Sequence, residues 1–270
     1  MVITKRFLLQ STFTIVCIAC AVCIHACGAI NMYPVSEDQK LGAQFDKEIR
    51  ADTKQYPLYL NAAAQQYVQA IADKIIRSPE VKYRGVFSYR VQLINDDGVI
   101  NAFCTPGGYI YVYTGLLKVL DNEATLAGVI GHEIAHAEKR HTTERMTTVY
   151  GLDALTNIAL GNQPNSNLKL AANAFSGLGL LKNSRSDEEE ADQYSFDYLR
   201  STQWYPGGIL YFFDKVKGRG GSSIERLFST HPLPQDRIDA TISRLRKANI
   251  APPTEAQLNA RGYTDFKRTL

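Results

Sequence analysis

The pentapeptide His132-Glu133-Ile134-Ala135-His136 constrains this chain more than any other feature, because its spacing has geometric force inside an apolar run. Four residues turn an α-helix by about 400°, so His132 and His136 stand one turn apart on nearly the same face. Two imidazoles so placed can meet one Zn²⁺ without bending the backbone. Glu133 falls about 100° round from His132, near enough to reach a water at the metal and poorly placed to ligate it. That is the arrangement of a general base beside two ligands. The preceding Ala124, Leu126, Ala127, Val129 and Ile130 make the segment a core helix and argue against two histidines on a charged surface.

A catalytic zinc site needs a third protein ligand and one open position. His141 is near in sequence, but five residues past His136 carry it about 140° round a continuous helix. It reads as a surface histidine or one that supports a ligand from behind. The acidic run Asp187-Glu188-Glu189-Glu190-Ala191-Asp192 is the better source. Glu188 and Asp192 are four residues apart, so one can ligate while the other accepts a hydrogen bond from a histidine Nδ1–H. Spacing alone does not choose among the three glutamates.

The rest of the chain has the balance of a folded protein. Of its 270 residues, 45% are apolar and 21% charged, which excludes both a disordered chain and a polytopic membrane protein. The net charge is +3 and no arginine-rich stripe interrupts it, so nucleic acid is excluded as a partner. Lys5 and Arg6 open the chain, Phe7 to Ala26 is largely apolar, and small residues close the run. This is the layout of a bacterial secretory signal. Ser11, Thr12, Thr14 and His25 interrupt it, which makes it a poor membrane span. Ile24-His25-Ala26-Cys27-Gly28 resembles a lipobox, so residues 1–26 are expected as a lipoprotein signal peptide and Cys27 as the lipidated first residue. An uncleaved anchor and ordinary cleavage after Ala26 are the rival arrangements, and all three export residues 28 onward. Removal of residues 1–26 leaves 28 basic against 27 acidic residues, a net charge of +1. Cys104 is then the one thiol besides Cys27; it reads as a small buried residue, with no internal disulfide.

Residues 27–35 are expected to form a tether and 36–250 one catalytic-size α+β domain, mostly helical with a small β-sheet. Helices are predicted from Ser36 to about Asp52 and from Asn61 to Arg77, the second with Val68, Ile71 and Ile75 at helical spacing. Val86 to Ile94, Val99 to Phe103 and Tyr109 to Tyr113 read as strands between turn signals at Asp96-Asp97-Gly98 and Thr105-Pro106-Gly107-Gly108. Asn122 should cap a long helix running to about Val149, and Gly161 to Asn167 should be a loop. Ser184 to Leu199, Ile209 to Val216 and Gln235 to Lys247 read as helices, and Gly218 to Ser223 as a flexible loop. Residues 251–270 are polar, with Pro252-Pro253 resisting regular structure, and are expected as a tail.

His132-Glu133-x-x-His136 followed by Glu188-x-x-Ala191-Asp192 resembles the gluzincin metallopeptidases that include the CAAX prenyl proteases, HtpX and short periplasmic lipoproteins, family forty-eight of the metallopeptidases. Asn101-Ala102-Phe103, Pro106-Gly107-Gly108, Ser184-Arg185, Thr230-His231-Pro232 and Arg237 extend the likeness over most of the exported chain. The resemblance implies a zincin-type fold and one Zn²⁺ per chain held by His132, His136 and Glu188, with Glu133 as base. It makes Asp192 a partner behind the ligands. His231, beside a Gly-rich loop, reads by its own context as a simple loop histidine or a functional one. The resemblance implies that it approaches the metal, either as a fourth ligand that closes the site or as a donor to the tetrahedral oxyanion. Arg237 is expected to tie the His231 loop to the acidic helix. Asn101 and the Gly107-Gly108-Tyr109 strand are expected beside substrate, whose backbone could extend a sheet edge; an interior strand is the alternative. The implied activity is endopeptidase cleavage of unfolded or misassembled envelope proteins. The implied place is the bacterial periplasm, at the outer rather than the inner membrane through the Cys27 lipid. A zinc-containing chaperone or assembly factor, with the site closed by His231, is the rival reading.

Overall fold

The computed structural model describes residues 31–149, 182–217, 221–232 and 235–270. The expected signal peptide, Cys27, the start of the tether and the Gly161 to Asn167 loop lie outside the described residues. The end of the expected tether belongs to the folded body: Asn31 Nδ2 donates to Thr143 Oγ1 at 2.8 Å, and Tyr33 is buried.

Helices α1 (Val35–Ala51) and α2 (Ala62–Ile75) precede a three-stranded sheet. Asn61 caps α2 by accepting the Ala64 N–H, and the stripe Ala64, Val68, Ile71, Ala72 and Ile75 enters the core. The strands are β1 (Arg90–Ile94), β2 (Ala102–Thr105) and β3 (Tyr109–Tyr113), in the order β1-β3-β2. β1 runs parallel to β3 and β2 antiparallel to it. β1 starts at Arg90 rather than Val86 because Tyr89 adopts φ 42°, outside the range of a strand.

The sheet order corrects the expected substrate strand. β3 is central, bonded on both long edges and buried at all five positions, so it offers no edge to a peptide. Gly107 and Gly108 serve packing: both have positive φ, and a Cβ on Gly107 would stand 2.9 Å from the Asp38 carbonyl oxygen. Tyr109 pairs with Arg90 and Thr105. Asn101 is buried, its carbonyl accepting the Tyr113 N–H at 3.1 Å. The edge next to the histidine helix belongs to β2.

After α3 (Thr114–Val119), helix α4 (Glu123–Glu138) is buried along its whole length. Asn122 caps it, and Glu123 accepts from Trp204 Nε1 at 2.7 Å, Asn259 Nδ2 at 3.0 Å and the Tyr67 hydroxyl. The long helix expected to reach Val149 is two. Lys139 ends α4, Arg140 takes φ 61°, and a second helix, α5, begins at residue 141. Arg140 is held in this conformation by Asp38, whose Oδ2 accepts from Nε at 2.7 Å, and by the Tyr33 carbonyl.

Helices α6 (Arg185–Leu199) and α7 (Ile209–Val216) pack on α4. Gly208 lets α7 approach: a Cβ there would lie 2.1 Å from the Ala124 carbonyl oxygen, a contact neither backbone can relieve without shifting. Gly208→Ala is therefore expected to destabilise the fold by about 1–3 kcal/mol, read as a lower denaturant midpoint at unchanged slope. An unaltered midpoint would mean that the two helices slide apart freely.

Helix α8 (Ser222–Thr230) occupies part of the stretch expected as a flexible loop, with Ile224 and Leu227 buried beneath it. Helix α9 (Gln235–Lys247) matches the expected span. The expected tail instead forms α10 (Glu255–Leu258) and α11 (Ala260–Lys267). Tyr263 and Phe266 are buried there, and the Tyr263 hydroxyl donates to the Leu117 carbonyl at 2.7 Å. The apolar pair on one face of α11 outweighs the polar composition around it. The architecture is α+β, mostly helical around a small sheet.

Candidate metal centre

Helices α6 and α8 converge on the middle of α4. His132 and His136 project from it on one face, with their Nε2 atoms 3.0 Å apart. Helix α6 starts from a capping box in which Ser184 accepts the Asp187 N–H and Asp187 accepts the Ser184 N–H, which sets the register of the acids behind it. Glu188 on its first turn is 0% exposed and reaches His132 Nε2 at 3.4 Å and His136 Nε2 at 3.2 Å. His231, at the C-cap of α8, brings Nδ1 to 2.9 Å from Glu188 Oε1. One donor atom from each of these four residues lies within 4.8 Å of the other three.

This donor set fits zinc. Nitrogen and oxygen ligands at about 2.0–2.1 Å from a tetrahedral ion lie about 3.3–3.4 Å from one another. His132 and His136 Nε2 are 3.0 Å apart, and Glu188 faces them through its two oxygens, Oε1 at 3.2 Å from His136 and Oε2 at 3.4 Å from His132. All four groups are buried, where converging lone pairs need a positive partner. The amide of Asn183 supplies a partial one: its Nδ2 donates to Glu188 Oε1 at 2.7 Å and stands 3.1 Å from His136 Nε2.

Behind the donors, His132 Nδ1 stands 2.9 Å from Asp192 Oδ1. Arg237 clamps Asp192 at 2.6 and 2.7 Å, and its Nη1 donates to Glu188 Oε2 at 2.6 Å and to the Pro232 carbonyl at 2.9 Å. One guanidinium thus joins α6 to the His231 segment. Burial disfavours charge on His132, but Glu188 and Asp192 outweigh it and push its pKa up to about 9. Burial and the neighbouring charge of His132 hold His136 well below the usual imidazole range. Burial opposes ionisation of Glu188, yet His231 and His132 hold it well below the usual carboxylate range. Glu133 differs: burial raises its pKa, and the opposing pull of His231 and His132 does not cancel the rise. A carboxyl group moved towards neutrality is suited to exchange protons.

Glu133 points between His231, whose Nε2 is 3.7 Å from its Oε1, and two small cavities. One, of about 20 Å³, is lined by Ala102, Val129, Phe212, Phe213 and Leu227; the other, of about 10 Å³, by Phe103, Cys104, Thr142 and Arg145. Either has room for about one water molecule. Cys104 is buried, as its sequence context predicts, and burial with Glu133 nearby drives its pKa well up, which suppresses thiolate chemistry.

Sequence reasoning missed Asn183, which belongs to no recognised motif, and left His141 open between the surface and a place behind a ligand; the structure puts it behind His136. The break at Arg140 turns His141 back to the site: it is 2% exposed, with Nδ1 2.7 Å from His136 Nδ1. The 140° offset holds only for an unbroken helix.

Comparison with known proteins finds that the model of peptidase family M48 matches residues 62–245. The chain is 26% identical over 248 residues to the beta-barrel assembly-enhancing protease of Escherichia coli K12, covering 87% of this chain and 49% of that protein. It is 32% identical over 168 residues to metalloprotease LoiP of the same organism, covering 60% and 64% respectively. It is 35% identical over 151 residues to the mitochondrial metalloendopeptidase OMA1 of Arabidopsis thaliana, covering 56% and 30%. The chain spans about half the length of the beta-barrel assembly-enhancing proteases it matches.

Proposed function

The chain belongs to peptidase family M48, and on that premise we propose that it is a zinc-dependent endopeptidase of the gluzincin type, acting on unfolded or misassembled proteins of the cell envelope. The observation that carries this reading is the convergence of buried donor atoms from His132, His136, Glu188 and His231 within 4.8 Å of one another, with Glu133 beside them. When bound, zinc supplies a Lewis acid that polarises the scissile carbonyl and acidifies water. Glu133 takes a proton from the attacking water and passes it to the leaving amine, a role its raised pKa serves. Asp192, fixed by Arg237, orients the His132 ring. The edge of β2, Ala102–Thr105, pairs with an extended substrate through backbone hydrogen bonds, which tolerates many sequences.

His231 makes the enzyme latent. It is 6% exposed within the donor set, and the cavities beside Glu133 are too small for a peptide. The Asn183 N–H bonds the Thr230 carbonyl at 3.0 Å, and Arg237 holds Pro232, so the segment is fastened at both sides of His231. Substrate entry requires its displacement. The signal-like leader and Cys27 support a periplasmic location with a lipid anchor in the outer membrane, and no feature favours nucleic acid. The name of the beta-barrel assembly-enhancing relatives supports an envelope setting.

The test is digestion of several unfolded clients, casein among them, by zinc-loaded wild type and His231→Ala, each with and without chelator. Slow cleavage by the wild type, cleavage by His231→Ala roughly tenfold faster, and loss of both with chelator are expected. Equal inertness of both proteins on every client, with zinc retained, would favour a chaperone that holds clients at a closed site.

A further inference from the structure

A histidine that binds a metal through one ring nitrogen uses the other to fix its tautomer and orientation, ordinarily through a carboxylate or carbonyl. For His132 the group beside that nitrogen is the Asp192 carboxylate, at 2.9 Å. For His136 it is another imidazole. His136 Nδ1 lies 2.7 Å from His141 Nδ1, and His141 Nε2 lies 3.0 Å from Glu190 Oε2. The other oxygen of Glu190 accepts from Lys139 Nζ at 2.8 Å.

We infer that His136, His141 and Glu190 form a directed hydrogen-bond relay that fixes the Nε2 lone pair of His136 on the metal, with His141 as a positioning residue. This inference rests on the reading that His136 ligates a metal. The direction follows from the chemistry of the terminal group. An ionised carboxylate only accepts, so His141 must carry its hydrogen on Nε2. With the His136 Nε2 lone pair on the metal, that ring carries its hydrogen on Nδ1, and His141 Nδ1 accepts it. His136 in turn has a bare Nε2, the atom that faces Glu188 at 3.2 Å. Each ring has one arrangement that satisfies both neighbours.

The backbone is shaped to deliver this contact. Arg140 takes φ 61°, a left-handed conformation unusual for a residue with a side chain. The Asp38 carboxylate and the Tyr33 carbonyl hold Arg140 there, and Thr143 Oγ1 donates to the second Asp38 oxygen at 2.8 Å. Helix α1 therefore maintains the turn that folds His141 onto the centre. At its far end the relay reaches water: Glu190 is 40% exposed and lines a cavity of about 380 Å³ with Lys139 and Arg140.

The experiment measures zinc affinity of the purified full chain by chelator competition, together with thermal stability. His141→Leu is expected to weaken zinc binding about 10–100-fold. His141→Asn, whose side-chain oxygen can accept from His136 Nδ1–H, is expected to restore most of that loss. Glu190→Leu, at a partly exposed position, is expected to weaken zinc in the same direction, with thermal stability measured alongside to separate any folding effect. Glu189→Gln, at a neighbouring position 65% exposed, is expected to leave it unchanged. Nitrogen-15 spectra of the zinc-loaded wild type should show His136 protonated on Nδ1. Zinc binding by His141→Leu as tight as the wild type, or no recovery in His141→Asn, overturns the relay alone. A wild type that takes up no zinc overturns the metal reading beneath it.

Discussion

Glu133→Gln is expected to lower kcat by about 10²–10⁴-fold while leaving the zinc content of the protein unchanged. The substitution preserves shape and removes only the capacity to accept and return a proton. Glu133 is buried, so the amide meets no competing solvent and the cavity beside it keeps its size. It stands outside the four-residue donor set, which is why metal should stay. The measurement pairs client digestion with metal analysis on the same preparation, in the His231→Ala background so that latency does not mask the effect. Cleavage near the parent rate would remove Glu133 from the chemistry, and loss of zinc would make it a ligand.

Glu188→Ala should have the other large effect, on metal and fold together. Its carboxylate faces His132, His136, His231 and Arg237 at 2.6 to 3.4 Å with no exposure to water. Removing it deletes a ligand and strands part of the charge of a buried guanidinium. Breaking a buried pair from one side is destabilising by about 3–5 kcal/mol. Zinc stoichiometry close to zero and a lower melting temperature, no longer raised by added zinc, are expected. Retention of full zinc in Glu188→Ala and its loss in Glu189→Ala would transfer the ligand role. Glu189 makes that unexpected, since it faces solvent and its nearest cation is Arg244 at 3.8 Å.

The two effects separate because the site has two layers. Donor atoms meet the metal, and a buried frame of Asp192, Arg237 and His141 holds them in place. Arg237 touches both layers, so its loss would blur chemistry and stability, whereas Glu133 lies on the chemical side alone.

Much of this centre is legible in the residues. The His132, Glu133 and His136 arrangement is intrahelical, and helix geometry is set by local hydrogen bonds. The Ser184 cap fixes where α6 starts, and with it the face shared by Glu188 and Asp192, for the same local reason. The choice of Glu188 over its neighbours needed family resemblance, because three adjacent glutamates are equivalent until a helix has something to pack against. The helices at Ile209–Val216 and Gln235–Lys247 were equally readable from the turn and proline segments that precede them.

Tertiary structure alone decided the rest. The turn at Arg140 depends on Asp38, about a hundred residues away in the chain, so no local rule places His141 behind His136. Strand β3 became central because β1 joined it in parallel, a long-range pairing that alternation cannot reveal, and this left β2 at the edge beside the histidine helix. Asn183 reaches the donor set, to which its amide donates, with its backbone bonded to Thr230 at the end of another helix. Local spacing determined which groups could hold a metal; contacts between distant segments determined how they are held and what stands in the way of substrate.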